Sequence, residues 1–73
     1  EVIRVIMRAI VINVQRDRLL VLDLRNRQRV AVLTPDARRF RRGELVRIRY
    51  NGVMTKSIPP QISAIRIERL SCC

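Results

Sequence analysis

The chain has 73 residues, enough for one small domain, and its formal net charge of +10 comes from 16 basic and only 6 acidic residues. It contains no histidine, and no two carboxylates have the spacing of a catalytic dyad. We therefore predict a protein that is not an enzyme and that holds no metal or cofactor. The charge favours a polyanionic partner, which could be nucleic acid, a ribosomal surface or anionic lipid.

The two ends of the chain say little about function. Cys72 and Cys73 are adjacent and would close no loop across a core, so we expect no disulfide framework and a disordered tail at 71–73. The apolar region 2–14 is interrupted by arginines and is too short to cross a bilayer. Because the chain begins with Glu1 rather than Met, we expect it to come from a longer one, and its localisation stays open between the cytoplasm and secretion.

Three strands in meander order are predicted for the first half of the chain. The first is long, about 2–14, and its second half is aliphatic on both faces, which indicates a curved strand, with a bulge, that serves two sheets. The second and third strands cover about 18–24 and 28–33. The turn between them, 25–27, contains Asn26, a residue type that tolerates the left-handed conformation of such turns.

A short helical segment is predicted next. Thr34 can cap it, Pro35 suits the first helical position, and Asp36 complements the helix dipole. Phe40 is expected to anchor the segment on the core. Gly43 is expected to end it, as a residue free to adopt positive φ.

Two further strands complete the pattern. Arginine alternates with branched aliphatic residues in the fourth strand, about 45–50, which predicts one buried face and one cationic face. A loop at 53–60 ends in two prolines, which break both a helix and a β-ladder. The fifth strand is predicted at 61–69, with Ile65 and Ile67 pointing inward.

This order of elements predicts an all-β fold. A meander, a helical turn and two more strands, with a long curved first strand, fit the OB-fold, a five-stranded partly open barrel. An SH3-like barrel is the alternative, but its helical turn usually precedes the last strand, whereas here the helical signal falls between strands three and four. We therefore predict one OB-like domain over 1–73, monomeric, in which strand one pairs with strands two and four.

The candidate nucleic-acid-binding surface is the face of strands two and three, framed by the loops that join strands one to two and four to five. Its basic residues would be Arg16, Arg18, Arg25, Arg27, Arg29 and Lys56. Guanidinium groups bind phosphates bidentately and stack on bases. The competing interpretation is a charged face that only keeps a small barrel soluble. Exposed aromatic platforms are not expected, so binding would be electrostatic and shape-led, with RNA favoured.

Two other segments have a structural and a functional interpretation. A second basic cluster comprises Arg38, Arg39, Arg41 and Arg42. We favour a helical turn in which Phe40 packs and these arginines are solvated, over an arm that contacts phosphates. In the loop before strand five, the notable residues are Ser57, Pro59, Pro60 and Gln61. We favour stiffening of the loop by the prolines over a recognition role for Ser57 and Gln61.

The C-terminal half resembles a known bacterial family. The string Arg42-Gly43-Glu44-Leu45-Val46-Arg47-Ile48-Arg49-Tyr50-Asn51-Gly52, followed by Ser57-Ile58-Pro59-Pro60-Gln61-Ile62-Ser63-Ala64, resembles the uncharacterised YobA-like small OB-fold proteins. These carry a G-x-x-V-x-V-x-Y-x-G strand and then an S-x-P-P/A-Q-I/A-x-A segment. The resemblance implies an OB-like fold and a bacterial source. Many such proteins are secreted or lipid-anchored and have no known activity. This chain departs from them in its high arginine content and in having no visible lipobox.

The architecture is also similar to that of bacterial translation initiation factor one, an OB-fold of nearly this length, although that family's sequence elements are missing here. We therefore expect a non-enzymatic module that binds RNA, a ribonucleoprotein or another polyanion. The alternative is a secreted or surface-associated interaction module. A third possibility is a charge-driven activity at a membrane surface.

Overall fold

The computed structural model describes residues 5–70, which form a closed barrel with the strand order β1-β2-β3-β5-β4. The elements in chain order are β1 (Val5–Val14), β2 (Arg18–Asp23), β3 (Gln28–Leu33), a 3-10 turn (Ala37–Arg39), β4 (Leu45–Tyr50) and β5 (Gln61–Arg69). All neighbours are antiparallel except β3 and β5, which run parallel. The predicted OB-fold-like barrel is therefore confirmed. The predicted start of strand one and the predicted tail at 71–73 lie outside the described residues.

β1 connects the two halves of the barrel. Residues 5–10 pair with β4, and residues 9–11 and 13–14 pair with β2. The register with β2 passes from Val11 to Asn13, so Ile12 has no partner and forms a bulge. A bulge bends a strand and increases its twist. This geometry confirms the prediction of a curved first strand that pairs with both strands two and four.

The core is mainly aliphatic, because most inward positions of the strands carry Val, Ile or Leu. The largest fully buried side chains are Leu19, Ile48, Ile62, Val11, Val21, Val30, Val32 and Val46. Burying each such side chain contributes roughly 1.5–3 kcal/mol. Phe40 and Tyr50, the two aromatic residues, are 8% and 7% exposed, so neither offers a ring face large enough for a base to stack on.

The helical segment is shorter than predicted, and its cap was wrongly assigned. Only Ala37–Arg39 is helical, and it is a 3-10 turn with Asp36 at its N-cap position. The Thr34 hydroxyl instead accepts the N–H of Asp36 at 3.2 Å, in a local turn before the helix. Phe40 is already extended, because the chain must return to β4 within a few residues. Phe40 is buried as predicted, and Gly43 has the expected positive φ of 88°, but Gly43 does not end the helical segment, which stops at Arg39 with Phe40 at its C-cap.

Two local predictions are wrong. Ile65 is 54% exposed rather than inward, because the register of β5 passes from Ala64 to Arg66 opposite β4 and leaves Ile65 in a bulge. In the β2–β3 turn the left-handed residue is Arg27, with φ 58°, rather than Asn26. The Asn26 side chain instead accepts a hydrogen bond from the N–H of Gln28 at 3.0 Å, which closes a local Asx turn in this connection.

Candidate nucleic-acid interface

The outer face of β2 and β3 is aliphatic at its centre and basic at both ends. Leu20 stands opposite Ala31, and Leu22 stands opposite Arg29. Arg18 begins β2 at the far end of the same face. Because a strand rises about 3.3 Å per residue, roughly 13 Å of strand separates the positions of Arg18 and Leu22. The basic residues at the two ends of this face therefore do not form one cluster.

The β4–β5 loop lies across one end of that face, and its hydroxyl groups hold it in shape. The Gln61 N–H donates to Thr55 Oγ1 at 2.9 Å, and the Thr55 N–H donates to the Gln61 carbonyl at 3.0 Å. The hydroxyls of Thr55 and Ser57 are 2.6 Å apart, and Ser57 donates to the Pro59 carbonyl at 3.0 Å. The Thr55 hydroxyl must therefore donate to Ser57. These bonds engage the Ser57 hydroxyl inside the loop, which supports the structural interpretation of this segment.

Between the loop and the strand face lies a groove of about 670 Å³, which we call the loop groove. Its lining residues are Leu20, Gln28, Arg29, Met54, Thr55, Lys56, Ser57, Ile58, Pro59 and Pro60. Most of the surface that they present is apolar. Ile58 is fully exposed at the groove, so the loop presents hydrophobic surface to solvent. Arg29 and Lys56 are the two cations of the lining.

The structure brings only part of the predicted basic set together. Arg29 and Lys56 line the loop groove, and Arg27 lies in the adjoining β2–β3 turn. Arg25 lies in the same turn but lines a separate depression beside the start of β1. The other two predicted residues, Arg16 and Arg18, belong to the β1–β2 end of the face.

Turn geometry explains why the β2–β3 arginines project from the barrel. Asp23 is 7% exposed, and its carboxylate accepts the N–H of Arg25 at 2.9 Å. Its carbonyl accepts the N–H of Arg27 at 2.7 Å. The acidic side chain thus acts as a turn cap. The arginines of the turn are exposed around it.

The second basic cluster surrounds a packed anchor. The four arginines Arg38, Arg39, Arg41 and Arg42 are all exposed. The Arg69 guanidinium lies 5.4 Å from the centre of the Phe40 ring, forms an ion pair with Glu44 and donates to the carbonyl of Arg39. This arrangement matches the interpretation in which Phe40 packs and its neighbours are solvated.

A third basic surface, absent from the predicted set, covers β4 and its two neighbours. Arg8 on β1 stands opposite Arg47 on β4, and Arg47 stands opposite Glu68 on β5. In the next row, Arg49 stands opposite Arg66. We call Arg8, Arg47, Arg49, Arg66 and Glu68 the arginine grid. The alternation in β4 and its pairing with strand one were predicted from the sequence, but the register that places Arg8 opposite Arg47 and the pairing of β4 with β5 were not.

Glu68 organises the grid. Its Oε2 accepts a hydrogen bond from Arg47 Nη2 at 3.1 Å, and its Oε1 lies 3.8 Å from Arg49 Nη2. The hydrogen bond from Arg47 lowers the pKa of Glu68, and the positive charges of Arg66 and Arg49 lower this pKa further. The Nε atoms of Arg47 and Arg49 are shielded from solvent and have no hydrogen-bond partner within residues 5–70.

Among residues 5–70, no group of three or more His, Cys, Asp or Glu side chains could hold a metal ion. Within the same residues, no helix has the length and apolar character to span a membrane. Cys72 and Cys73 lie outside this range.

No protein-family model matches the chain, and no curated protein or solved structure is significantly similar to it. The resemblances noted from sequence motifs therefore stay predictions.

Proposed function

We propose that this protein is a non-enzymatic binding module that engages RNA through the loop groove and the basic residues around it. The observation that carries the proposal is the convergence of Arg29 and Lys56 on an apolar lining. Cations at a groove bind the phosphate backbone, while apolar side chains accommodate the faces of unstacked bases. The net charge of +10 supplies the long-range attraction to a polyanion.

The mode of binding follows from the burial of both aromatic rings. Base stacking on Phe40 or Tyr50 would require them to leave the core. The groove offers Met54, Ile58 and the plane of Arg29 instead. We therefore propose binding dominated by phosphate contacts, with modest sequence preference and strong salt dependence.

Amide chemical-shift mapping with a mixed-sequence RNA oligonucleotide tests this proposal. We expect the largest shifts at β3, the β2–β3 turn and the loop at 53–60, and weaker binding by the double variant Arg29→Gln/Lys56→Gln. The charge-matched control is Arg41→Gln/Arg42→Gln, which changes exposed residues outside the groove and should bind more strongly than the groove variant. Equal affinities of the two variants, or shifts confined to another surface, would refute the groove as the RNA site.

A protein partner is the second candidate, and the apolar loop favours it. Ile58 is fully exposed and Val53 is 65% exposed on the same loop. Exposed apolar surface of this kind marks some protein-interaction sites. Affinity for such a partner would depend on Ile58 and would change little with salt, whereas RNA affinity must fall steeply as salt rises.

A further inference from the structure

We infer that the arginine grid is a second phosphate-contacting surface, used by RNA that is long enough to extend from the loop groove across β5. This inference rests on the proposed RNA-binding function. It assigns a role to four arginines that the groove does not use.

The first argument is electrostatic. Arg8 stands directly opposite Arg47, and Arg49 directly opposite Arg66. Like charges directly opposite one another destabilise a sheet. Within residues 5–70, Arg8 and Arg66 form no ion pair, and Glu68 is the grid's one carboxylate. A bound anion would offset a repulsion that the barrel itself leaves in place.

The second argument concerns hydrogen-bond capacity. Each guanidinium group carries five N–H donors. Within the described residues, Glu68 accepts one hydrogen bond from Arg47 and is 3.8 Å from the nearest nitrogen of Arg49. The side chains of Arg47 and Arg49 are 32% and 34% exposed, so they are held against the sheet yet remain reachable. Phosphate oxygens accept from such groups bidentately.

The third argument is spacing. Residues two apart on a strand project from the same face about 7 Å from each other, which sets the distance between the rows of Arg47 and Arg49. An extended nucleic-acid strand presents phosphates at a comparable repeat. The two rows can therefore contact successive phosphates, whereas a compact single anion would reach only one row.

The fourth argument is continuity between the two surfaces. β5 is the strand that lies between β3, which contributes to the groove, and β4, which carries the grid. Its exposed residues before the grid are Ser63 and Ile65, which are uncharged. A strand of RNA leaving the groove therefore meets no acidic side chain on β5 before it reaches Arg66, although Asp36 lines the depression beside Ile65 and Arg66.

Fluorescence anisotropy with two RNA lengths tests the inference. The lengths are about 4 and about 16 nucleotides, the limits of the site sizes of OB-folds. For the double variant Arg49→Gln/Arg66→Gln, we expect the salt slope of log affinity for the long RNA to become shallower by about 1.4, because each of two phosphates that are no longer neutralised accounts for about 0.7. The short RNA should bind this variant with the same slope as wild type. The substitutions remove opposed like charges, so the variant is expected to fold.

A variant that should raise affinity for the long RNA tests whether the effect of Arg49→Gln/Arg66→Gln is purely structural. Glu68→Gln removes the carboxylate that competes with phosphate for Arg47 and Arg49, and should strengthen binding of the long RNA. Arg41→Gln/Arg42→Gln is the charge-matched control for the grid variant, and its slope for the long RNA should stay close to that of wild type.

Other outcomes distinguish this inference from the proposed function. If the grid variant matches the control while Arg29→Gln/Lys56→Gln loses binding, the grid inference is wrong and the groove proposal stands. If the grid variant loses affinity for short and long RNA equally, the inference that long RNA contacts the loop groove and the arginine grid together is wrong. If polyglutamate binds in a grid-dependent way and RNA does not, the grid belongs to an acidic protein partner. Absence of RNA binding by the wild type at low salt overturns both proposals.

Discussion

At the scale of single residues, the balance of charge within the arginine grid depends on one carboxylate. Glu68 contacts Arg47 and Arg49 in a field that also contains Arg66. Its side chain is 28% exposed, so solvent and salt screen these contacts. The carboxylate nevertheless places a negative charge beside both Arg47 and Arg49, which lie two residues apart on one face of β4.

Glu68→Gln should lower the melting temperature at neutral pH and low salt. The folded-state pKa of Glu68 lies below its ordinary value of 4.5, so its stabilisation is present above that value and is lost as pH falls through the folded pKa. Wild type and variant should therefore converge in acid and at high salt. Melting curves across pH measure this, with Asp36→Asn as a charge-matched control. A melting-temperature gap that persists unchanged in acid would contradict the assigned role.

Two glycines provide a second comparison at this scale. Gly43 and Gly52 both have φ of 88°, a region that L side chains rarely adopt. A Cβ at Gly43 would meet nothing within 4 Å, whereas a Cβ at Gly52 would lie 3.0 Å from Val5 Cγ2. Gly43→Ala should therefore reduce the free energy of unfolding by about 1–2 kcal/mol, and Gly52→Ala by more.

Urea unfolding of both alanine variants measures these free energies. A double-mutant cycle with Val5→Ala isolates the clash, because truncating Val5 should recover part of the loss at Gly52 and none at Gly43. Equal losses at the two glycines would show that the contact with Val5 is unimportant.

At the scale of elements, the barrel is closed by its shortest ladder. β3 and β5 pair in parallel through three residue pairs, which extend from Ala31 with Gln61 to Leu33 with Ser63. Ile62, at the centre of this ladder, is 2% exposed. Closure of the barrel therefore relies on packing beneath the ladder as well as on its hydrogen bonds.

Substitutions at two isoleucines of β5 compare the energetic cost of truncating a buried side chain with that of truncating an exposed one. Ile62→Ala should reduce the free energy of unfolding by about 2–5 kcal/mol, the usual cost of such a cavity. Ile65→Ala changes a side chain that is 54% exposed in the bulge and should stay within about 0.5 kcal/mol of wild type. Urea unfolding checks both values. A large loss for Ile65→Ala would mean that the bulge does not turn this residue outward.

The sequence predicted best those elements whose boundaries are marked by a local residue pattern. β2 and β3 were located within one residue, because alternating aliphatic residues and short polar turns mark their ends. Ile65 was misplaced because a bulge shifts the side-chain period by one, and nothing in the local pattern of β5 marks that shift. Thr34 was misassigned because its capping signature suits an α-helix, whereas the segment has room for only a 3-10 turn.

The candidate site was less predictable than the fold, because it depends on non-local pairing. The basic residues of the predicted face were assigned to strands two and three and to the adjoining loops. Of these residues, only Arg29 and Lys56 meet in the loop groove. Their meeting depends on the path of the β4–β5 loop. The arginine grid was missed for the same reason, since it exists only because β4 lies between β1 and β5.

At the scale of the whole molecule, a small aliphatic barrel presents separate basic surfaces. The loop groove lies on β2, β3 and the β4–β5 loop, and the arginine grid lies on β1, β4 and β5. Closure of the barrel places basic residues on several sides of the molecule, and the chain has a net charge of +10. A flexible polyanion such as RNA can follow such a surface.

The most direct test of the central claim is the salt dependence of RNA binding by the wild-type protein. Anisotropy titrations with one mixed-sequence RNA at several salt concentrations should give a straight line of log affinity against log salt, with a slope of about −0.7 for each phosphate neutralised. A slope of about −2.8 or steeper would mean that about four or more phosphates are neutralised, as expected for Arg29 and Lys56 of the groove together with Arg49 and Arg66 of the grid. Absence of binding at low salt, or an affinity that does not change with salt, would contradict the proposed function.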